Sequence, residues 1–586
     1  MIHGSVEGDS SFTSVADAGD VNGDGLADFL IGVPYANPAG KLRAGESFVV
    51  FGKRGGAAAD LAEVRRGRGG FAIRGSGFGD ESGSSVAGAG DLNGDGLADL
   101  LIGAPGADPD NRTDAGESYV VFGKRDGAAV ELSDVLAGRG GFTIRGIVGV
   151  GSSGASVAGA GDVNGDGLAD LIIGAPYAYG PDVQSRAGES YVVFGRRDAA
   201  TVEISDVLVG RGGFAIHGVG GGDSAGWSVT GAGDVNGDGL ADLLVGAPYA
   251  DSGAKYDNGV SYVVFGKKDG VAVSLAEIQA GRGGFAIRGV ASNDYSGRAV
   301  AAAGDVNGDG LADLLIGAYY ASPRNRSYAG ESYVVFGKKT GAVVELSEVL
   351  AARGGGFAIR GSAAYDYSGK SVSGIGDVNG DGLADVLIGA PGADPAGKDD
   401  AGESYVVFGK KDGAAVQLST VQTGRGGFAI SGGAAYDYSG RHVAGGGDIN
   451  GDGIRDLLIG ARLADARYPS IDRELSGAAY VVFGAGGASS NPRFIRGDCE
   501  ADGRVDLSDA VCILNWRFLA GPTPACIAAT NTDGDGAVGL TDPIYLLNHL
   551  FLGGPPPPEP YPACGTSDLA SDQPLGCETP PARCKQ

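Results

Sequence analysis

This chain of 586 residues has no cysteine before Cys499, a single methionine, two tryptophans and four histidines. Ahead of Cys499 that excludes a disulfide framework, a thiolate nucleophile and a cysteine-based metal site. No apolar run is long enough to cross a membrane as a helix. Cationic residues are also short, with 45 Lys and Arg against 72 Asp and Glu, a formal net charge of −27. The Gly-Arg-Gly-Gly segments are scattered turn signals without a basic stripe, which argues against nucleic acid as a partner. An N-terminal export signal is missing as well. The chain opens Met1-Ile2-His3-Gly4, already in phase with an internal repeat, so its start is expected to be internal, or an export signal to lie upstream.

What is abundant is glycine, 112 residues falling at repeating positions. The stretch Asp20-Val21-Asn22-Gly23-Asp24-Gly25-Leu26-Ala27-Asp28 occurs seven times in near-identical form at intervals of 71 or 72 residues, and self-similarity at a fixed period signals a repeat architecture. Loop positions 1, 3, 5 and 9 carry side-chain oxygens and position 7 offers its carbonyl, a donor set that suits Ca²⁺. In chain order these positions are Asp20, Asn22, Asp24, Leu26 and Asp28; Asp91, Asn93, Asp95, Leu97 and Asp99; Asp162, Asn164, Asp166, Leu168 and Asp170; then Asp234, Asn236, Asp238, Leu240 and Asp242. They continue as Asp305, Asn307, Asp309, Leu311 and Asp313; Asp377, Asn379, Asp381, Leu383 and Asp385; and Asp448, Asn450, Asp452, Ile454 and Asp456. An EF-hand needs a carboxylate at position 12 and an exiting helix. Position 12 here is Ile31, Ile102, Ile173, Val245, Ile316, Ile388 and Ile459, so the loops join strands instead. A plain Asn-Gly or Asp-Gly hairpin turn would not call for the third aspartate that all seven copies keep.

Each unit reads as four strands, exemplified by Ser85 to Gly90, Ala98 to Pro105, Gly116 to Gly123 and Gly141 to Gly146, with Val130 to Leu136 as a helical turn before the fourth. Seven such units, with small residues where the first strand would crowd an axis, predict an all-β seven-bladed β-propeller. A linear solenoid would need distinct polar capping units, and the terminal units resemble the interior ones. The run Val-Phe-Gly, then Gly-Asp-Val-Asn-Gly-Asp-Gly-Leu-Ala-Asp, then Ile-Gly-Ala-Pro resembles the FG-GAP repeat, which builds the propeller of integrin alpha subunits and of many secreted bacterial proteins. The resemblance covers residues 1 to about 490 and implies calcium binding and adhesion. In that family four or so blades bear the loop; here all seven do. The last unit departs at Ile454-Arg455 and Ala461-Arg462. Both Ile2-His3-Gly4 and Phe494-Ile495-Arg496-Gly497 look like fourth strands, and the copy that keeps its Phe is expected to complete the last blade. Ligands are expected on the face opposite the loops, where the segments joining strands two and three vary. Tyr295, Tyr365, Tyr367, Tyr436 and Tyr438 lie there, either free for carbohydrate or protein contacts or packed between blades.

Past the repeats, Asp498, Glu500, Asp502, Arg504 (through its carbonyl), Asp506 and Asp509 fit a twelve-residue Ca²⁺ loop followed by a helical pattern with apolar Val511, Leu514, Phe518 and Leu519. A second copy starts 33 residues later with Asn531, Asp533, Asp535, Ala537 and Asp542. Asn531 replaces the usual first aspartate and Gly539 has no side chain to offer, so this site is expected to be weaker. Paired loop-then-helix units resemble a dockerin, the module that plugs into cohesin domains, which implies a cohesin-like or other surface partner; a small calcium-stapled cap is the alternative. The six cysteines, all from Cys499 onward, read as disulfides of an oxidising compartment and allow 15 pairings. Pro555 to Pro558 reads as a stiff spacer. Arg496-Gly497-Asp498 spells an adhesion tripeptide, but Asp498 is committed to the loop. Asn111-Arg112-Thr113 and Asn325-Arg326-Ser327 are glycosylation sequons.

The expected organisation is residues 1–490 as the propeller, 491–553 as a small α-helical calcium-binding domain and 554–586 as a cysteine-bearing tail, with nine Ca²⁺ sites in all. His3, His217, His442 and His549 are scattered, and near-identical blades do not make a catalytic constellation. The expectation is therefore a secreted calcium-dependent binding protein. Its ligand would be an extracellular protein or carbohydrate; the enzymatic alternative is a polysaccharide lyase or glycosidase.

Overall fold

The computed structural model describes residues 2–3, 14–55, 58–147, 149, 151–179, 186–464, 466–468, 471–473, 477–484, 494–519, 521–524, 526–535 and 538–564. The chain divides into two compact units, Met1–Gly484 and Ala485–Gln586.

The first unit is a seven-bladed β-propeller. In the second blade, antiparallel strands Ser85–Gly90, Asp99–Ala104, Glu117–Val121 and Gly141–Arg145 follow one another outward, and the other blades repeat this order. After the position-9 aspartate the second strand of each blade is apolar, and it is buried on both faces, because adjacent blades cover it from either side. The core is accordingly shared between blades: Phe214 and Ile216 of one pack with Leu243, Val245 and Tyr262 of the next. The seryl hydroxyls of Ser14, Ser85, Ser156, Ser228 and Ser371 link the inner strands by accepting the following blade's first-strand amide, as from Val157 to Ser85 at 3.0 Å and from Val229 to Ser156 at 3.0 Å.

One glycine shows how closely the blades approach. A Cβ on Gly103 would lie 2.0 Å from the carbonyl oxygen of Gly154, in the turn that opens the next blade. Gly103→Ala is expected to destabilise the propeller by about 1–3 kcal/mol, read as a fall in the denaturant midpoint. An unchanged midpoint would mean the blades can separate at no cost.

Two features depart from the sequence reading. The stretch Val130–Leu136 is more than a helical turn. Its first two residues, Val130–Glu131, pair in parallel with Ile73 and Arg74 on the outer strand of the preceding blade, and the helix Leu132–Leu136 follows, with Leu132 and Val135 buried. This clasp gives five strands in six of the propeller sheets among the described residues. Ring closure also runs the other way from expectation. Ile2 and His3 pair antiparallel with Ala479 and Ala478 on the third strand of the last blade, and in parallel with the clasp residues Ala59 and Asp60. Phe494 lies in the second unit, buried with Cys526, Ala528 and Ala529.

The second unit holds helices Leu507–Phe518, Ile527–Thr530 and Thr541–Leu552. Its core is Cys499, Ala510, Ile513, Val538 and Leu546, so the buried helix face is Ala510 and Ile513 while Val511, Phe518 and Leu519 are exposed. Cys499 and Cys512 form a disulfide, and Cys526 and Cys564 are each disulfide-bonded. The proline run is not a free spacer. The buried Arg496 guanidinium donates to the carbonyls of Pro558 at 3.1 Å, Glu559 at 3.0 Å and Asn531 at 2.7 Å. Arg496 and Asp498 are both fully buried, so the adhesion tripeptide is not presented. The tail beyond residue 564, with Cys577 and Cys584, lies outside the described residues.

Candidate metal loops and recognition face

All seven loops take the same local form, set by the alternation of aspartate and glycine. In the second blade, Asp91 folds back over the turn: one carboxylate oxygen accepts from the amides of Gly94 at 2.7 Å and Asp95 at 3.1 Å, the other from Gly96 at 2.9 Å. Gly94 and Gly96 have φ of 78° and 87°, which glycine adopts without strain. Asn93 accepts from the Asp95 amide at 2.8 Å and donates to the Asp95 carboxylate at 3.0 Å. Asp95 accepts from the amide of Leu97 at 2.9 Å.

The position-9 aspartate behaves differently. Asp99 is fully buried and accepts from the amide of Leu92 at 2.9 Å and from Gly123, at the end of the third strand, also at 2.9 Å. It thus fastens the loop to the Phe-Gly turn of its own blade. Burial above all, with Asp95 and Asp91 adding to it, pushes its carboxyl up to about 6. Asp28, Asp242 and Asp313 are raised to about 7 for the same reasons. Each loop therefore stacks an inward carboxyl behind two exposed carboxylates, a like-charge arrangement that a cation relieves. The oxygen donor set fits Ca²⁺. Among the described residues, the side chains are turned onto backbone amides, and no three Asp, Glu, His or Cys groups are drawn together as a closed metal cage.

The second unit repeats this logic twice. Asp498 accepts from Asp502 at 3.0 Å and Gly503 at 2.9 Å. Asp509, in the first turn of its helix, accepts from the amides of Glu500 at 3.2 Å and Asp506 at 2.9 Å, and burial lifts its carboxyl to about 6. In the second copy, Asp542 accepts from Thr532 and Gly539, each at 2.7 Å. Asp535 donates its amide to Asp533 at 3.2 Å, and Asn531 is buried. Ala537 lies outside the described residues. The two copies also expose matching apolar side chains: Leu507, Val511, Phe518 and Leu519 on one helix, Leu540, Ile544, Phe551 and Leu552 on or beside the other. The offset is 33 residues in every pair.

At the other end of the propeller the blades stop being alike. The expected tyrosines do both things foreseen for them. Tyr295 packs edge-on between Tyr249 at 5.4 Å and Tyr320 at 5.4 Å, bridging blades, and the row continues through Trp227 to Tyr177. Tyr365 and Tyr436 are 54% and 55% exposed. Sequence reasoning missed the cations among them. At the repeat position just ahead of the first-strand Ser-Val pair or its counterpart stand Ser84, Ala155 and Trp227 in blades two to four, but Arg298, Lys370 and Arg441 in blades five to seven, Arg441 already inside the longer strand Ser439–Gly445. Aligning that single position would have found them.

The FG-GAP repeat family model matches residues 12–50, 82–121, 153–193, 225–264, 296–335, 368–407 and 439–482. Integrin alpha pat-2 of Caenorhabditis elegans is 32% identical over 260 residues, 42% of this chain and 18% of that protein. Integrin alpha-4 of Xenopus laevis is 33% identical over 184 residues, 31% and 16% of the two chains. Phosphatidylinositol-glycan-specific phospholipase D of Bos taurus is 32% identical over 166 residues, 28% and 18%. The aligned stretches span less than a fifth of the length of these relatives.

Proposed function

We propose, from the premise that residues 12–482 form an FG-GAP repeat β-propeller, that this chain is a secreted calcium-dependent binding and adhesion protein. The observation that carries the reading is the contrast between the propeller's two ends. One end repeats a single carboxylate loop seven times, which suits structure. The other breaks the repeat with aromatic and cationic side chains, which suits recognition. Ca²⁺ would be held by the position 1, 3, 5 and 9 side chains and the position 7 carbonyl, supplying positive charge where three carboxyl groups crowd.

The second unit would dock as a dockerin-like module. Its two loop-helix copies expose the same apolar positions twice, and apolar patches of that kind mark protein contacts. A cohesin-like partner is the occupant to look for.

The competing reading is an enzyme, a calcium-dependent polysaccharide lyase or glycosidase; the likeness to a phospholipase D over 18% of that protein favours an enzyme in general and not that substrate. Against it, His442 at the symmetry-broken end is pushed down to about 3 by burial and by Arg441, Lys370 and Arg462, which makes it a poor proton acceptor. The test is an array of glycans and extracellular proteins probed with the full chain, with Ca²⁺ and with chelator, followed by product analysis of every glycan bound. Calcium-dependent capture without chain cleavage supports the proposal. Cleavage, or capture indifferent to calcium, overturns it.

A further inference from the structure

We propose that the mouth of the propeller opposite the carboxylate loops, where Arg298, Lys370, Arg441 and Arg462 gather beside Trp227 and Tyr319, binds the acid groups of an anionic polysaccharide; this deepens the recognition reading and rests on it. The first three cations stand at one repeat position in three successive blades, Arg298 and Lys370 just before their inner strands and Arg441 as the third residue of its own, Ser439–Gly445. Arg462 follows the second strand of the last blade, where most units have proline.

The geometry draws them together. Tyr319 is shared: the Lys370 ammonium lies 4.0 Å from its ring centre and the Arg298 guanidinium 5.6 Å. Arg298 also lies 4.4 Å from the Trp227 ring and donates to the Tyr249 hydroxyl at 2.9 Å. Burial, together with Arg298 and Arg441, pulls the Lys370 ammonium down to about 7. Burial and Arg462 lower Arg441 in the same way. The Arg462 Nε is buried with no hydrogen-bond partner among the described residues.

Among the described residues the cluster has no counter-ion. In a chain with net charge −27, cations at the outer rim find carboxylates, as Arg74 finds Glu131 at 2.9 Å and Arg288 finds Glu345 at 3.1 Å. Among the described residues, Lys370, Arg441 and Arg462 make no ion pair. Half-buried like charges without a counter-ion are costly to keep, and a bound anion supplies what is missing. The ring row from Tyr177 to Tyr328 offers partly exposed aromatic surfaces with hydroxyl ends, which suits sugar rings along a chain.

The experiment titrates the full chain, with Ca²⁺ present, with alginate, chondroitin sulfate, dextran and polyglutamate at low and high salt. Lys370→Met/Arg441→Met is compared with wild type, and Arg211→Ala, an exposed rim cation, serves as the control. Wild type is expected to bind alginate or chondroitin sulfate, the two separating carboxylate from sulfate preference, with affinity falling as salt rises. The double variant should lose about ten- to a hundredfold in affinity while its Tm holds or rises, because an uncompensated charge is gone. Undiminished binding by the double variant, preference for polyglutamate, or a drop in its Tm overturns the proposal. Binding of dextran with the acidic glycans ignored overturns it too, yet leaves the recognition face standing; a wild type that binds nothing on any array sinks both.

Discussion

Chelation of calcium from the full-length protein is expected to lower its Tm by more than about 10 °C. An ion that binds only the folded state at a hundredfold over its Kd contributes about 2.7 kcal/mol. Two or three such sites already match the whole stability of an ordinary domain, about 5–15 kcal/mol, and the propeller carries seven loops. The metal-free loop also works against itself. Asp99 is lifted by burial and by the neighbouring Asp95 and Asp91, so a charged carboxyl there is unfavourable until a cation arrives. Calorimetry with and without chelator, then with Ca²⁺ restored, reads the effect. Mg²⁺, which demands tighter octahedral geometry, should restore less. A melt that does not move on chelation would end the metal reading for all seven loops at once.

Most of the propeller was legible because its signals are local and repeated. The strand at Ser85–Gly90 matches the sequence reading residue for residue, and the buried second strand Asp99–Ala104 announces itself by the apolar run that follows its aspartate. The features that escaped are those decided at a distance. Val130–Glu131 pairs with a strand 57 residues earlier, and two residues carry no periodicity to read. The cationic mouth is assembled from Arg298, Lys370 and Arg441, each unremarkable in its own blade. The apolar helix pattern in the second unit was right in kind but not in face. Ala510 and Ile513 are buried there because the packed helices leave room for a small residue beside a branched one, and the larger Val511 and Phe518 are left exposed.

The choice of closing strand went wrong for an instructive reason, and it yields the sharpest test of the fold. Two segments spell a fourth strand, and the one with phenylalanine has more apolar surface to bury. Phe494 buries it in a local pocket of Cys526, Ala528 and Ala529, which leaves the last blade to Ile2. That residue sits in a cluster with Phe29, Val50, Leu61, Ile449 and Ala479, so it joins the first blade to the last. Closing the ring is also what removes two open sheet edges. Ile2→Asp places a charge in that cluster and strips the closure of its apolar anchor, an expected loss of about 4 kcal/mol or more. Hydrogen exchange should then accelerate at residues 478–482 and 59–60, while residues 117–121, remote from the seam, stay protected. Phe494→Ala should do the reverse, loosening residues 526–530 and leaving 478–482 slow. Exchange at 478–482 that responds to Phe494→Ala and ignores Ile2→Asp would return the closing strand to the C-terminal copy.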